Sequence, residues 1–192
     1  MYRTILILII CGLGPTYLSA QGLHIEELEH SYIQKDWSSF ADNFPETFSD
    51  FMEIYGYDIN KGAKPLYYVA FEHISFLFSD ERIMEDKYLD KLLILTEGYY
   101  WDADATSYLG KGIEDIIKGE PEMIAEYMID KPDILIKYFL KSAIATPYPE
   151  PENTPYYQDY LATKKLYEVI SPRIVRLFEM AHQELMEEWV EN

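Results

Sequence analysis

The stretch Pro65-Leu66-Tyr67-Tyr68-Val69-Ala70-Phe71-Glu72-His73-Ile74-Ser75-Phe76-Leu77-Phe78-Ser79 decides the fold class. Wound at about 100° per residue, its apolar side chains cover most of a helical circumference. Only Tyr68, Glu72, Ser75 and Ser79 form a narrow polar strip. Pro65 suits a first helical turn, where its missing N–H costs nothing. A helix apolar nearly all round is enclosed by others, so the pattern predicts a central helix over 65–79 in an all-α domain.

The same periodicity runs outward on both sides. Leu23, Ile25, Leu28 and Tyr32 mark a first helix, and Trp37, Phe40 and Phe44 a short second one. Pro45-Glu46 reads as the start of a third, with Phe48, Phe51, Met52 and Tyr55 on its apolar side and Gly56 at its stop. Asp58-Ile59-Asn60-Lys61-Gly62 reads as a turn. Further helices are predicted at 86–96 and 103–118. Residues from Pro121 and from Pro132 then match in character over nine positions, each copy starting with proline and an acid. Pro132 disfavours helix at Lys131, which predicts two short helices in succession. The segment 146–155, from Thr146 to Pro155, carries four prolines and reads as an extended loop. Two closing helices follow at 156–169 and 172–190, the last with Ile174, Phe178, Ala181, Leu185 and Trp189 on one face. The expectation is one helical domain over 21–192, of about eight to ten helices, with no convincing strand alternation.

Residues 1–20 read as a cleaved signal peptide. Arg3 precedes an apolar run from Ile5 to Gly14, too short to span a bilayer, and Leu18-Ser19-Ala20 offers a cleavage position. Lipidation at Cys11 is disfavoured because Ile10 stands where a small residue is needed. Export to a periplasmic or extracellular compartment follows. Cleavage would remove the single cysteine, leaving no thiol for a disulfide, a nucleophile or a metal.

The charge narrows the partners. The chain carries 34 acids against 16 lysines and arginines, a net −18; loss of Arg3 leaves 15 cations and a net −19. Phosphate neutralisation by cations supplies most nucleic-acid affinity, so nucleic acid is excluded as a ligand. The same field opposes anionic lipid, and no stable membrane insertion is expected after cleavage. With 48% hydrophobic residues, the chain has ample surface to bury and is not a disordered acidic tail.

Searching for chemistry yields little. No zinc-protease, nucleophile-elbow, phosphate-loop or dinucleotide motif is present. Glu27 with His30 and Glu179 with His182 both form Glu-x-x-His, the pairing used by di-iron bundles. Helical geometry turns Glu27, His30 and Glu179 toward solvent, so no metal and no cofactor are expected. Asp102-Ala103-Asp104 begins like a calcium loop, but Ser107 and Ile113 stand where Gly and Glu are needed. His73 falls among apolar positions and is predicted to be a buried polar site, in the first instance a neutral, hydrogen-bonded core histidine.

What remains is a candidate recognition surface: Tyr99, Tyr100, Trp101, Asp102 and Asp104 between two helices, and Tyr148, Glu150, Glu152, Tyr156 and Tyr157 around the proline loop. Tyrosine and tryptophan are enriched at interface hot spots, and acidic rims select basic partners. The competing expectation is that these rings pack over helix ends. The sequence therefore predicts an exported, non-catalytic protein that binds a basic protein, as an inhibitor or toxin-immunity protein would. Two alternatives are a metal-binding or hydrolytic enzyme centred on His73 or the Glu-x-x-His pairs, and a structural envelope protein without a dedicated ligand.

Overall fold

The computed structural model describes residues 20–102, 104–145 and 154–191. In chain order the helices are α1 (Ala20–Gln34), α2 (Trp37–Asn43), α3 (Phe48–Tyr55), α4 (Ala70–Leu77), α5 (Asp86–Leu95), α6 (Asp104–Gly119), α7 (Pro121–Tyr127), α8 (Asp133–Ile144), α9 (Pro155–Tyr167) and α10 (Pro172–Glu191). Among the described residues the strands are limited to β1 (Tyr57–Asp58) and β2 (Gly62–Ala63), which pair antiparallel. The class is all-α. The predicted signal segment lies outside the described residues up to Ser19, as does most of the proline loop.

Local chemistry explains where the helices start. The Asp36 carboxylate accepts from the Ser39 N–H and caps α2. The Thr47 hydroxyl accepts from the Asp50 N–H and caps α3, so that helix opens at Phe48 and not at Pro45-Glu46. A side-chain acceptor satisfies an orphan N–H, which proline cannot do. Thr154 caps α9 in the same way. Pro121 occupies the first turn of α7, whereas Pro132 stands just outside α8, and the chain turns between them as the repeat predicts. The expected turn after Gly56 is the tip of the small hairpin: Asp58 accepts from the N–H groups of Asn60 and Lys61, and Gly62 adopts φ 88°. That left-handed conformation favours glycine.

The segment 65–79 differs most from expectation. It is helical in two pieces, a 3₁₀ turn at Tyr67–Val69 followed by α4. The anticipated strip of Tyr68, Glu72, Ser75 and Ser79 is exposed. However, Phe71 is also 57% exposed. The segment buries Leu66, Ala70, His73, Ile74 and Leu77 on one side, against α2 and α6. It is therefore not enclosed on all sides, because Phe71, beside the polar strip, stays largely open to solvent.

The middle of the fold belongs to α6 and α8. α8 packs on α10, α6 and α5, and α6 also meets α4. Two glycines allow α6 to be approached closely. A Cβ at Gly110 would lie 2.4 Å from the Ser142 carbonyl oxygen of α8, and one at Gly112 would lie 2.2 Å from the Phe78 ring. Buried side chains from every helix, Leu28 of α1 through Phe178 of α10, join one hydrophobic cluster.

Distant side chains close the helix C-termini, whose last carbonyls have no partner within the helix. Lys91 donates to the carbonyls of Ala41 and Asp42 at the end of α2. The Trp37 indole donates to Leu77 at the end of α4, and the Tyr167 hydroxyl to Ile117 near the end of α6. Arg173 donates to the carbonyls of Met128, Ile129 and Lys131 beyond α7 and to the Asp133 carboxylate. Cations at such ends also face the negative pole of the helix dipole. Between α8 and α10, Lys141 is only 1% exposed and donates to Glu184 at 2.9 Å and Glu188 at 2.6 Å, while Lys137 also binds Glu184.

Candidate recognition surface

The segment 99–104 links α5 to α6 and divides between core and surface. Tyr99 is 1% exposed, and its hydroxyl donates to the Thr106 carbonyl at 3.3 Å. Its ring lies in the core, 5.2 Å from that of Phe48. Tyr100 stays half-exposed, its ring meeting Phe48 edge-on at 5.1 Å. The Trp101 indole donates to the Ser107 hydroxyl, and the Asp102 N–H donates to the Thr106 hydroxyl. These bonds fix the turn into α6. Partial burial raises the Asp102 carboxyl above its ordinary value.

Asp104, the first residue of α6, is exposed and accepts a hydrogen bond from the Tyr67 hydroxyl at 2.7 Å. That bond holds the Tyr67 phenol protonated, pushed up to about 12. It also ties the predicted segment to rings the sequence reading left aside. Tyr67 lies 5.5 Å from Tyr57 of β1 and 5.3 Å from Tyr68, which is 83% exposed. One turn further, Phe71 meets Tyr108 of α6 edge-on at 5.2 Å. The result is a face of exposed and half-exposed rings built from the hairpin, the 3₁₀ turn, the outer side of α4 and the start of α6.

Its charge is negative. Lys61 and Lys64 of the hairpin are matched by Asp58 and Glu53. Glu72, Asp102 and Asp104 have no ion pair among the described residues. Asp102 and Asp104 stand out in the sequence as acids of a linking segment, whereas Tyr57, Tyr67, Phe71 and Tyr108 are brought beside Asp104 by the fold. The available signal was Tyr68 in the polar strip with Phe71 one turn on, a pair that shares one side of a helix.

The second predicted cluster lies elsewhere. Tyr156 is exposed at the start of α9, and Tyr157 packs on Tyr160 and His182. Tyr148, Glu150 and Glu152 lie outside the described residues. Tyr156 lines a cleft of about 330 Å³ between α6, α8 and α9, with Lys111, Glu114, Lys118 and Asp159. Those four charges are consumed by one another: Lys118 bridges Glu114 and Asp159, and Lys111 binds Glu114 and Asp115.

His73 is buried, 2% exposed, with its Nδ1 3.0 Å from the Tyr55 hydroxyl. The rings of Tyr32, Phe40 and Tyr55 surround it, with Tyr32 4.5 Å away. Desolvation, with a smaller push from Lys35 and against the pull of Glu72, lowers its pKa to about 4. It is a neutral imidazole at ordinary pH, as expected for a core histidine. Glu27 and His30 are exposed on α1, lining an open cleft toward α2. His182 stacks on Tyr160 at 4.3 Å, and Glu179 pairs with Lys164. Among the described residues no three histidine, aspartate or glutamate side chains converge as a metal-ligand set.

No family model, curated protein or solved structure matches this chain. The reading of its function therefore rests on the surface itself. No helix among the described residues is long and apolar enough to cross a membrane.

Proposed function

We propose that this chain is an exported, acidic, non-catalytic helical protein that binds a basic protein, in the manner of an inhibitor or immunity protein. The single connected core supports treating residues 21–192 as one binding domain. The observation that carries the proposal is how the fold spends its cations. Lys91 and Arg173 serve backbone carbonyls, Lys137 and Lys141 bind Glu184 between α8 and α10, and Lys118 bridges Glu114 and Asp159. Acids outnumber cations 34 to 16, so the excess carboxylates set the field outside the molecule. Such a field accelerates encounter with a cationic partner and repels anionic ones.

The test is affinity capture with the full chain from its native envelope at low ionic strength, followed by reconstitution from purified components. A basic protein that binds directly and dissociates as salt rises supports the proposal. Absence of any partner at every ionic strength, or a partner whose affinity ignores salt, overturns it.

A further inference from the structure

The fold repeatedly seats its own cations on its own rings. Lys35 lies 4.0 Å from the Tyr32 ring centroid, Arg82 4.8 Å from Trp37, Lys131 4.5 Å from Tyr127 and Lys164 5.7 Å from Tyr160. None of the cations so placed lies over Tyr57, Tyr67, Tyr68, Phe71 or Tyr108. Tyr57, Tyr68 and Phe71 are exposed, Tyr67 and Tyr108 lie half-buried beside them, and Glu72 and Asp104 sit among them with no ion pair among the described residues. Aromatic faces attract guanidinium and ammonium groups, and an adjacent carboxylate strengthens the attraction.

We propose that this aromatic and acidic face is the docking surface, and that it takes a segment of the partner rich in arginine or lysine. The cations stack on Tyr68 and Tyr57 and pair with Glu72 and Asp104, while their aliphatic stems cover Phe71. A second copy of this chain is the less favourable occupant, because two molecules of net charge −18 repel each other. Tyr67 is already oriented by Asp104, so part of the surface is ordered before the partner arrives. This inference rests on the proposal of a basic partner and adds where that partner sits.

The experiment uses the full chain and a fluorescent arginine-rich peptide, with a glutamate-rich peptide as the counter-probe. Binding is measured for the parent, for Tyr68→Ser with Phe71→Ser, and for Ile129→Ser with Val169→Ser as a control. All four positions are exposed, and none of these changes alters the charge. The expected result is at least about a tenfold loss of arginine-peptide affinity in the first pair, as for removal of hot-spot rings, and no loss in the control. Equal binding by the parent and both pairs overturns the placement while leaving a basic partner in force. Failure of the parent to prefer the arginine-rich peptide overturns the basic-partner reading itself. Self-association of the parent that the Tyr68 and Phe71 changes abolish assigns the face to a second copy and also overturns the inference.

Discussion

The Tyr55 hydroxyl and His73 Nδ1 form a buried hydrogen bond of 3.0 Å inside a box of aromatic rings. Burial raises the Tyr55 phenol well above its ordinary value, so the hydroxyl keeps its proton, and the direction of its bond to Nδ1 follows the tautomer of the imidazole. Removing the hydroxyl in Tyr55→Phe should cost about 1–3 kcal/mol, because the buried nitrogen loses its partner. Urea unfolding at neutral pH measures this.

The same histidine makes stability depend on pH. Its pKa falls from 6.5 in the unfolded chain to about 4 in the fold, so folding favours the neutral form. The stabilisation is complete above 6.5 and is lost as pH falls toward 4, at up to about 1.4 kcal/mol per pH unit. Burial lowers His182 as well, which adds in the same direction. Unfolding midpoints should fall from pH 6.5 to 5, and His73→Gln should flatten that slope. A parent whose stability is level over this range would contradict a neutral, enclosed imidazole.

Gly110 and Gly119 lie on the same helix and should respond oppositely to alanine. In an open helical position the change gains up to about 1 kcal/mol. Nothing lies within 4 Å of a Cβ at Gly119, so Gly119→Ala should be neutral or stabilising. At Gly110 the new methyl meets the Ser142 carbonyl, part of the backbone, and α6 and α8 must separate. Gly110→Ala should lose about 1–3 kcal/mol, the usual cost of overpacking, and thermal unfolding of the two variants decides the sign.

Lys141 and Glu184 should also differ from each other. Lys141 is buried whereas Glu184 and Glu188 are partly exposed and Glu184 also binds Lys137, so losing the lysine leaves acids that water and Lys137 can serve, while losing Glu184 strands buried cationic charge. Lys141→Met should change stability by less than about 1 kcal/mol. Glu184→Ala leaves Lys137 and Lys141 short of an acceptor, and should cost about 1–3 kcal/mol.

Much of the helical layout was legible because it is written in local signals. The pair of prolines at 121 and 132 and the spacing of Ile174, Phe178, Ala181 and Leu185 each act within one or two turns; the Trp189 side chain lies outside the described residues. The start of α3 was misread because Pro45 is a conspicuous signal and the Thr47 cap an inconspicuous one. The segment 65–79 was misread for a different reason. Composition shows which side chains are apolar, but not whether another helix covers them, and Phe71 beside the polar strip stays open. Gly110 and Gly112 gave no signal at all, since their role appears only when Ser142 and Phe78 are placed against them. The candidate surface was half legible: Asp104 stood out in the chain, whereas Tyr67 reaches it only where the 3₁₀ turn meets α6, Tyr57 only through Tyr67, and Phe71 joins only where α4 sets it against Tyr108.

The most direct test of the account is to map where a basic segment binds, using amide and aromatic chemical-shift changes in the full chain titrated with the arginine-rich peptide. The account predicts shifts concentrated on Tyr57, Tyr67, Tyr68, Phe71 and Tyr108, fading as salt is raised. Shifts spread evenly over the acidic surface, or centred on another face such as the exposed acids of α7, would contradict it.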